Sequence, residues 1–424
     1  MEYSYRSRVV DKKITQYLTA FGAVSLEGPK WCGKTCSAMH HSKSSFFLGD
    51  PRGNFQNRTL AGLDPFLVLE GVRPRLIDEW QEVPALWDAV RHAVDQDPEK
   101  GRFILTGSAT PQIKGILHSG AGRIAKIRMR PMSLFESGDS SGAVSLESLC
   151  RGEITSSITG EVNLKDLITL VIRGGWPGSI GVPVADAAQI PGEYLNAIVE
   201  DDFFRMDGVR RDVKKMKRLL RSLARNESTT ASNKTLLRDI SAEDDDTIDP
   251  STIAEYIGLF ERMFLVENQL PFASRIRSST RIKTAEKRHF SDPSLAAALL
   301  GATPEKLLYD PETLGFLFEA LCERDLRIYA ESMDAKLYHY QDYRNNEIDA
   351  VIEEKDGTWH AFEIKLGAKQ IDEAAANLLR IKSEIERDPA GKPPSVLCVI
   401  AGLSNAVYRR DDGIFVVPIT ALRA

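Results

Sequence analysis

Residues Ala23–Thr35 read AVSLEGPKWCGKT, a short apolar segment followed by a glycine-containing loop. The loop fits the pattern G-x-x-x-x-G-K-[S/T] without a gap. In this pattern the glycines let backbone N–H groups turn toward phosphate oxygens, and the helix that begins there adds its positive end. Lys34 is expected to reach the β- and γ-phosphates, and Thr35 to offer its hydroxyl to Mg²⁺. The predicted nucleotide-binding residues are Gly28, Pro29, Lys30, Trp31, Cys32, Gly33, Lys34 and Thr35.

A second motif, RLIDE at residues 75–79, places two acids after a short apolar run. An acid at the carboxyl end of such a strand holds Mg²⁺ in P-loop proteins, which is the role expected of Asp78. Glu79 is placed to polarise the attacking water. Two acids that merely cap a loop are the alternative, but this alternative does not explain the strand, the acid pair and the upstream loop together.

Two further features of this part of the chain suggest catalytic residues. Thr106-Gly107-Ser108 follows the apolar run Phe103–Leu105, so Thr106 or Ser108 is a candidate polar sensor of the γ-phosphate. An ordinary turn at the end of a strand is an equal alternative. Arg123, after a glycine-rich run, is the candidate arginine finger among several nearby arginines.

The chain resembles the prokaryotic AAA-family ATPases that carry a C-terminal domain of unknown function. The resemblance extends over nearly the whole chain. Its segments are GPKWCGKT, RLIDEWQEVP, FILTGSATP, GRIAKIRMRPMSLFE, RGGWPGS, KRHFSDPSLAAALLG and the run from FLFEALCERDL to FEIKLG. The resemblance implies ATP as the nucleotide, a winged-helix middle domain and a nuclease-like last domain.

The alternation of short apolar runs with helical patterns predicts an α/β fold with a parallel-sheet core. A chain of 424 residues is expected to form two to four domains. The segment after the core looks mostly helical, and the acidic run 243–249 is expected to be a loop. The predicted domains are a P-loop ATPase core at 1–140, a helical lid or linker at 141–208, a winged-helix-like domain at 209–303 and a PD-(D/E)XK nuclease-like domain at 304–424.

The last domain contains a second set of candidate site residues. Glu347–Glu353 and Thr358–Leu366 alternate like strands and are joined by Lys355-Asp356-Gly357, which predicts a hairpin. The alternation places Glu363 and Lys365 on one face, within reach of Asp349. This set is similar to the D…(D/E)-x-K pattern of PD-(D/E)XK nucleases.

Glu319, within a predicted helix at 313–324, is similar to the additional helical carboxylate of these nucleases. We expect one solvent-reachable acidic pocket in which Asp349 and Glu363 hold a divalent metal and Lys365 orients a water. A nuclease fold without activity and a plain salt-bridge cluster stay open as alternatives.

The amino-acid composition and net charge exclude few kinds of binding partner. The chain is 42% hydrophobic and 27% charged, with a net charge of −5. Eight basic residues stand between Val209 and Arg225, which suits a solvated helix face slightly better than a DNA surface. No apolar run is long enough for a membrane span, and five scattered cysteines suggest reduced thiols in a cytoplasm.

Three functions follow as alternatives. The first is an ATP-driven switch or motor that acts on DNA. The second is an ATP-dependent regulator that binds a protein, with self-association also open. The third is an ATP-gated nuclease.

Overall fold

The computed structural model describes residues 5–108, 117–241, 249–275, 277–389 and 391–424. The first sheet contains five parallel strands in the order β2-β3-β4-β1-β5. These are β1 (Ala23–Glu27), β2 (Ser44–Phe47), β3 (Arg75–Asp78), β4 (Phe103–Gly107) and β5 (Ile124–Arg128). The helices around them are α1 (Asp11–Ala20), α2 (Lys34–His41), α3 (Arg52–Leu63), α4 (Pro65–Val68) and α5 (Ala85–Gln96).

The predicted parallel core is confirmed. Its three inner strands are short and mostly apolar because helices cover both faces of the sheet. All five strands point the same way, so the carboxyl ends of β1, β3 and β4 meet at one edge. The P-loop, the acid pair and Thr106 all lie at that edge.

The segment after the core is mostly helical, as the sequence predicts. Its helices are α6 (Leu134–Ser137), α7 (Leu146–Cys150), α8 (Leu164–Arg173), α9 (Val184–Ala187), α10 (Ile190–Ala197) and α11 (Phe203–Asp207), with a π-helical turn at Ile198–Asp202 before α11. Two short strands, β6 (Val144–Ser145) and β7 (Ser157–Ile158), depart from the helical prediction. Both pair with strands near the carboxyl end of the chain, so tertiary pairing overrides their weak local signal.

The next segment contains helices followed by an antiparallel pair of strands. Its elements are α12 (Val213–Arg225), α13 (Asn233–Ser241), α14 (Pro250–Arg262), β8 (Val266–Gln269), α15 (Thr280–Lys283), β9 (Lys287–Phe290) and α16 (Pro293–Leu299). The winged-helix assignment stays a prediction. Most of the acidic run 243–249 lies outside the described residues, although Asp249 caps α14 by accepting a hydrogen bond from Ser251 N at 2.7 Å.

The last segment forms a mixed sheet of seven strands in the order β10-β11-β12-β13-β15-β14-β7. The predicted hairpin is confirmed, because β11 and β12 pair antiparallel. The elements are α17 (Pro304–Tyr309), α18 (Pro311–Ser332), β10 (Lys336–Gln341), β11 (Glu347–Glu353), β12 (Trp359–Lys365), α19 (Ile371–Glu386), β13 (Val396–Ala401), β14 (Ala406–Arg409), β15 (Phe415–Pro418) and β16 (Leu422–Arg423).

Within the described ranges, none of the helices combines the length and the apolar character that crossing a bilayer requires. Two points stay predictions: the nuclease-like identity of the last segment, and the boundaries of the four domains.

Candidate functional site

The glycine loop between β1 and α2 has little room for larger residues. A Cβ atom at Gly28 would lie 2.1 Å from the carbonyl oxygen of Met129, and Gly33 has a φ of +101°. Both positions therefore require glycine. The Lys34 side chain is buried, and its Nζ donates to the carbonyl oxygens of Gly28 at 3.0 Å and Pro29 at 2.8 Å. These partners are neutral, so the charge of the ammonium group is not cancelled by them.

Asp78 lies opposite the start of α2. Its Oδ1 accepts hydrogen bonds from Thr35 Oγ1 at 2.8 Å and from Thr106 Oγ1 at 2.7 Å. Burial raises the pKa of Asp78, while the hydrogen bonds from the two threonines oppose that shift. A hydroxyl and a carboxylate beside a phosphate-binding loop are hard oxygen ligands that fit Mg²⁺.

Glu79 is held by a polar network at the ends of β3 and β4. Its φ is +57°, an uncommon value for a residue other than glycine, and its backbone N–H donates to Thr106 Oγ1 at 3.0 Å. Ser108 Oγ donates to Glu79 Oε2 at 2.9 Å. Gln81 Nε2 donates both to Glu79 Oε2 and, at 3.3 Å, to Ser108 Oγ. Both candidate sensors therefore contact the acid pair.

Gln81 was missed by the sequence reasoning. Its Oε1 is buried and has no hydrogen-bond partner among the described residues. An amide oxygen left unpaired at this edge is suited to accept a hydrogen bond from a bound water. The only sequence signal was its position two residues after Glu79.

Arg123 does not reach the nucleotide site of its own chain, which corrects a role in cis. It directly precedes β5 at the amino-terminal edge of the sheet, and its Nε pairs with Asp95 Oδ1 at 2.7 Å. Arg128 stacks over the Phe264 ring, 4.1 Å from the ring centroid. A finger supplied by Arg123 to a neighbouring molecule stays a prediction.

The remaining loop residues contact other parts of the chain. Lys30 Nζ lies 2.6 Å from Asp202 Oδ1, and the Trp31 ring stacks on Trp176 at a centroid distance of 6.2 Å. The carbonyl oxygen of Cys32 accepts a hydrogen bond from Arg8 Nη1 at 2.8 Å. The loop therefore contacts the segment after the core, through Asp202 and Trp176, and the residues before α1, through Arg8.

The C-terminal candidates also come together. Lys365 Nζ lies 3.1 Å from Asp349 Oδ2 and 2.7 Å from Glu363 Oε2. Asp349 Oδ2 also accepts the backbone N–H of Ile364 at 2.8 Å, and Asn377 Nδ2 donates to Glu363 Oε1 at 2.8 Å. We call Asp349, Glu363, Lys365, Glu319 and Lys287 the carboxylate cluster.

Lys287, from β9, is the unexpected member of this cluster. Its Nζ lies 2.8 Å from Glu319 Oε1 and 4.0 Å from Asp349 Oδ1. The sequence carried no indication of this role, because nothing local relates β9 to the hairpin. Two ammonium groups therefore face three carboxylates.

The carboxylate cluster is more enclosed than expected. Glu363 is only 3% exposed, so the prediction of a solvent-reachable pocket is wrong for this residue. Burial raises the pKa of Glu363 to about 8 and that of Glu319 to about 7. The pKa of Asp349 is lowered, because Lys365 and Lys287 outweigh its burial.

Comparison with known proteins agrees with the first site. Residues 20–137 match the model of an AAA domain. Residues 164–306 and 314–422 each match a domain of unknown function, DUF8612 and DUF4143. Residues 20–137 are thus similar to AAA domains, and this part of the chain also has the parallel sheet and the glycine loop after β1 described above.

Two similar proteins are uncharacterized. Mb2031c of Mycobacterium bovis and Rv2008c of Mycobacterium tuberculosis are each 25% identical over 345 residues, which is 81% of this chain and 70% of theirs. Among solved structures, the Walker-type ATPase PABY2304 of Pyrococcus abyssi matches with a TM-score of 0.41 at 16% identity, over 68% of this chain and 94% of that one.

Proposed function

We propose that the protein hydrolyses ATP with Mg²⁺ at the edge formed by the P-loop, Asp78 and Glu79. The observation that carries the proposal is the 2.8 Å contact between Thr35 Oγ1 and Asp78 Oδ1. These two groups come from motifs that are distant in sequence, and a cation beside the phosphates would give them a shared task.

The residues of the site have separable roles in this proposal. The backbone of the loop and Lys34 hold the phosphates, and Lys34 exchanges its carbonyl partners for phosphate oxygens. Thr35 and Asp78 hold Mg²⁺, which neutralises charge on the phosphates. Glu79 orients and deprotonates the attacking water, while Ser108 and Gln81 fix the position of its carboxylate.

Steady-state ATP hydrolysis by the purified chain, with and without Mg²⁺, tests this proposal. Asp78→Asn should weaken the response to Mg²⁺, because it removes a charged ligand. Glu82→Gln is a matched control on the same turn, since Glu82 pairs with Arg58 at the surface. Normal hydrolysis in both Asp78→Asn and Glu79→Gln would exclude this acid pair.

We also propose that ATP occupancy switches the later segments. Lys30 and Trp31 connect the loop to the lid through Asp202 and Trp176. When bound phosphates attract Lys34 and the loop backbone, the loop would move. Its contacts with Asp202 and Trp176 would then shift the lid. The free energy of ATP hydrolysis would then drive an action on one of two partners, DNA or a protein.

The charge of α12 favours neither partner strongly. Lys217 pairs with Glu200 at 2.8 Å and Arg225 with Asp239 at 2.7 Å, which leaves less free charge for phosphate contacts. DNA-stimulated hydrolysis that falls with salt would support a DNA-directed switch. Its absence would favour a protein-binding regulator or self-association.

A metal-dependent nuclease is the second candidate, because Lys365 contacts both Asp349 and Glu363. In this proposal Asp349 and Glu363 hold the metal, Glu319 supports them, and Lys365 orients the water. Cleavage of DNA with Mg²⁺ or Mn²⁺ that disappears in Glu363→Ala would support it. Glu347→Ala, an exposed acid on β11, is the matched control.

A further inference from the structure

Three potential metal ligands meet where α7 packs against the C-terminal hairpin. Cys150 ends α7, Glu354 follows β11, and His360 is the second residue of β12. One ligand atom from each lies within 4.8 Å of the other two. Cys150 is 4% exposed and His360 is 1% exposed, so two of the three donors are inside the protein.

The backbone at this place is fixed from several sides. The β11–β12 pairing sets Ile352 opposite His360. Glu354 closes the hairpin turn, because its backbone N–H donates to Thr358 O at 2.8 Å. On the other side, β6, immediately before α7, pairs with β16. The ligands are therefore held together by elements that do not depend on a metal.

The hydrogen bonding of His360 leaves one ring nitrogen unused. Its Nε2 lies 2.8 Å from Glu354 Oε1, whereas its Nδ1 is buried and has no hydrogen-bond partner in the described part of the chain. A buried imidazole that keeps one nitrogen unpaired, in a residue grouped with a thiol and a carboxylate, needs an explanation.

We propose that Cys150, His360 and Glu354 form a binding site for a divalent cation of the zinc type. A thiolate, an imidazole and a carboxylate are ligands of zinc rather than of Mg²⁺. Ligands at zinc distances in a tetrahedral arrangement are roughly 3.3–3.6 Å apart, so small side-chain rotations close this site. Glu354 is partly exposed and leaves a path for the ion and for a water as the fourth ligand.

Binding at this site replaces the proton of the Cys150 thiol by the metal and releases that proton to solvent. Because Cys150 is buried, the positive charge of the metal is what would stabilise the thiolate. The ion would join α7, which follows the ATPase domain, to the hairpin that carries Asp349 and Glu363. The site is independent of the proposed ATP hydrolysis.

Cobalt(II) is a suitable probe because a Co²⁺–thiolate bond gives a charge-transfer absorption that oxygen ligands do not give. The full chain is stripped with a chelator and titrated with Co²⁺ and then with Zn²⁺. We expect one equivalent of Co²⁺ with a thiolate band, and displacement by one equivalent of Zn²⁺. Cys150→Ser should abolish the band, and Glu354→Gln should weaken Zn²⁺ binding about tenfold or more.

Two matched controls locate the signal. Glu147→Gln changes an exposed carboxylate on the same helix, and Cys36→Ser removes the exposed thiol beside the P-loop. Both should keep the band. Absence of a thiolate band in the folded parent, or a band that survives in Cys150→Ser, would overturn the proposal. Because Glu354 is partly exposed, its variant keeps the test valid if Cys150→Ser does not fold.

Discussion

The P-loop and the carboxylate cluster both bring lysines and acids together, but they use the positive charge differently. Lys34 donates to two neutral carbonyl oxygens, and the nearby acid Asp78 is held by hydroxyl groups. In the carboxylate cluster, Lys365 and Lys287 each lie within hydrogen-bond distance of a carboxylate. At the P-loop, the positive charge of Lys34 therefore stays available for a ligand. In the carboxylate cluster, the lysines already neutralise most of the negative charge of the carboxylates.

This difference shows that the residue types in a cluster are not enough to define a ligand site. Which charged side chains pair with one another also has to be known. A buried ammonium group beside carboxylates takes the place that a divalent cation would need. The position of Lys287 therefore distinguishes a structural salt-bridge cluster from a metal site in the C-terminal segment. If it stays in place the cluster is structural, and if it withdraws the cluster is open to metal.

The largest expected effect is at the P-loop. Lys34→Ala should weaken ATP binding by about 100-fold or more, or about 2.7 kcal/mol, because the main charge on the phosphates is lost. The fold should persist, as judged by circular dichroism. Binding measured by calorimetry provides the test, with Lys12→Ala, which changes an exposed lysine of α1, as the control. An affinity within a factor of about two of the parent would refute the assignment.

The second prediction separates binding from hydrolysis. Glu79→Gln should slow ATP hydrolysis by about 100-fold or more while sparing ATP binding, because a positioned base typically contributes that much. The measurements are kcat and nucleotide affinity on the same preparation. Equal losses in Glu79→Gln and in the Glu82→Gln control would point to a folding defect instead.

The third prediction concerns the cation already present in the carboxylate cluster. Lys287→Met should raise Mn²⁺ affinity about tenfold or more over the parent, because it removes a positive charge beside Glu319 and Asp349. Calorimetry on chains that also carry Lys34→Ala keeps the P-loop out of the signal.

Two controls test whether the gain in Mn²⁺ affinity comes from Lys287 and the carboxylate cluster. Lys355→Met changes an exposed lysine in the turn of the same hairpin and should not alter Mn²⁺ binding. Adding Asp349→Ala and Glu363→Ala to the Lys287→Met chain should remove the gain. Equal Mn²⁺ affinity in the parent and Lys287→Met would show that Lys287 does not compete with metal.

The smallest expected effect is on stability. The pKa values of about 8 for Glu363 and about 7 for Glu319 lie above the ordinary value, so folding favours the protonated forms. Their ionisation as pH rises from about 5 to 9 should therefore reduce stability, because the native state then binds more protons than the unfolded state.

We expect Tm to fall by about 2–4 °C over that range and expect Glu363→Gln to reduce this fall, as thermal scans in matched buffers will show. The Glu347→Gln variant, which changes an exposed acid on β11, should behave like the parent. A fall that is the same in Glu363→Gln would mean that other groups cause it.

Much of the first site could be predicted because its signals are local. The glycines and the apolar strand before Lys34 impose the loop, and the strand before Asp78 imposes the position of that acid. Arg123 was harder to place, since its distance from the nucleotide depends on which end of β5 it occupies. Gln81 gave only the signal of its position two residues after Glu79, because its contact with Ser108 joins the turn after β3 to the end of β4.

In the C-terminal segment, the sequence by itself determined the β11–β12 hairpin and the shared face of Glu363 and Lys365, because strand alternation is a local property. Only the tertiary structure decided that Lys287 enters this cluster from β9 and that α7 brings Cys150 to His360. Such contacts join segments far apart in the chain. They are set by how whole elements pack, and no short-range pattern encodes that packing.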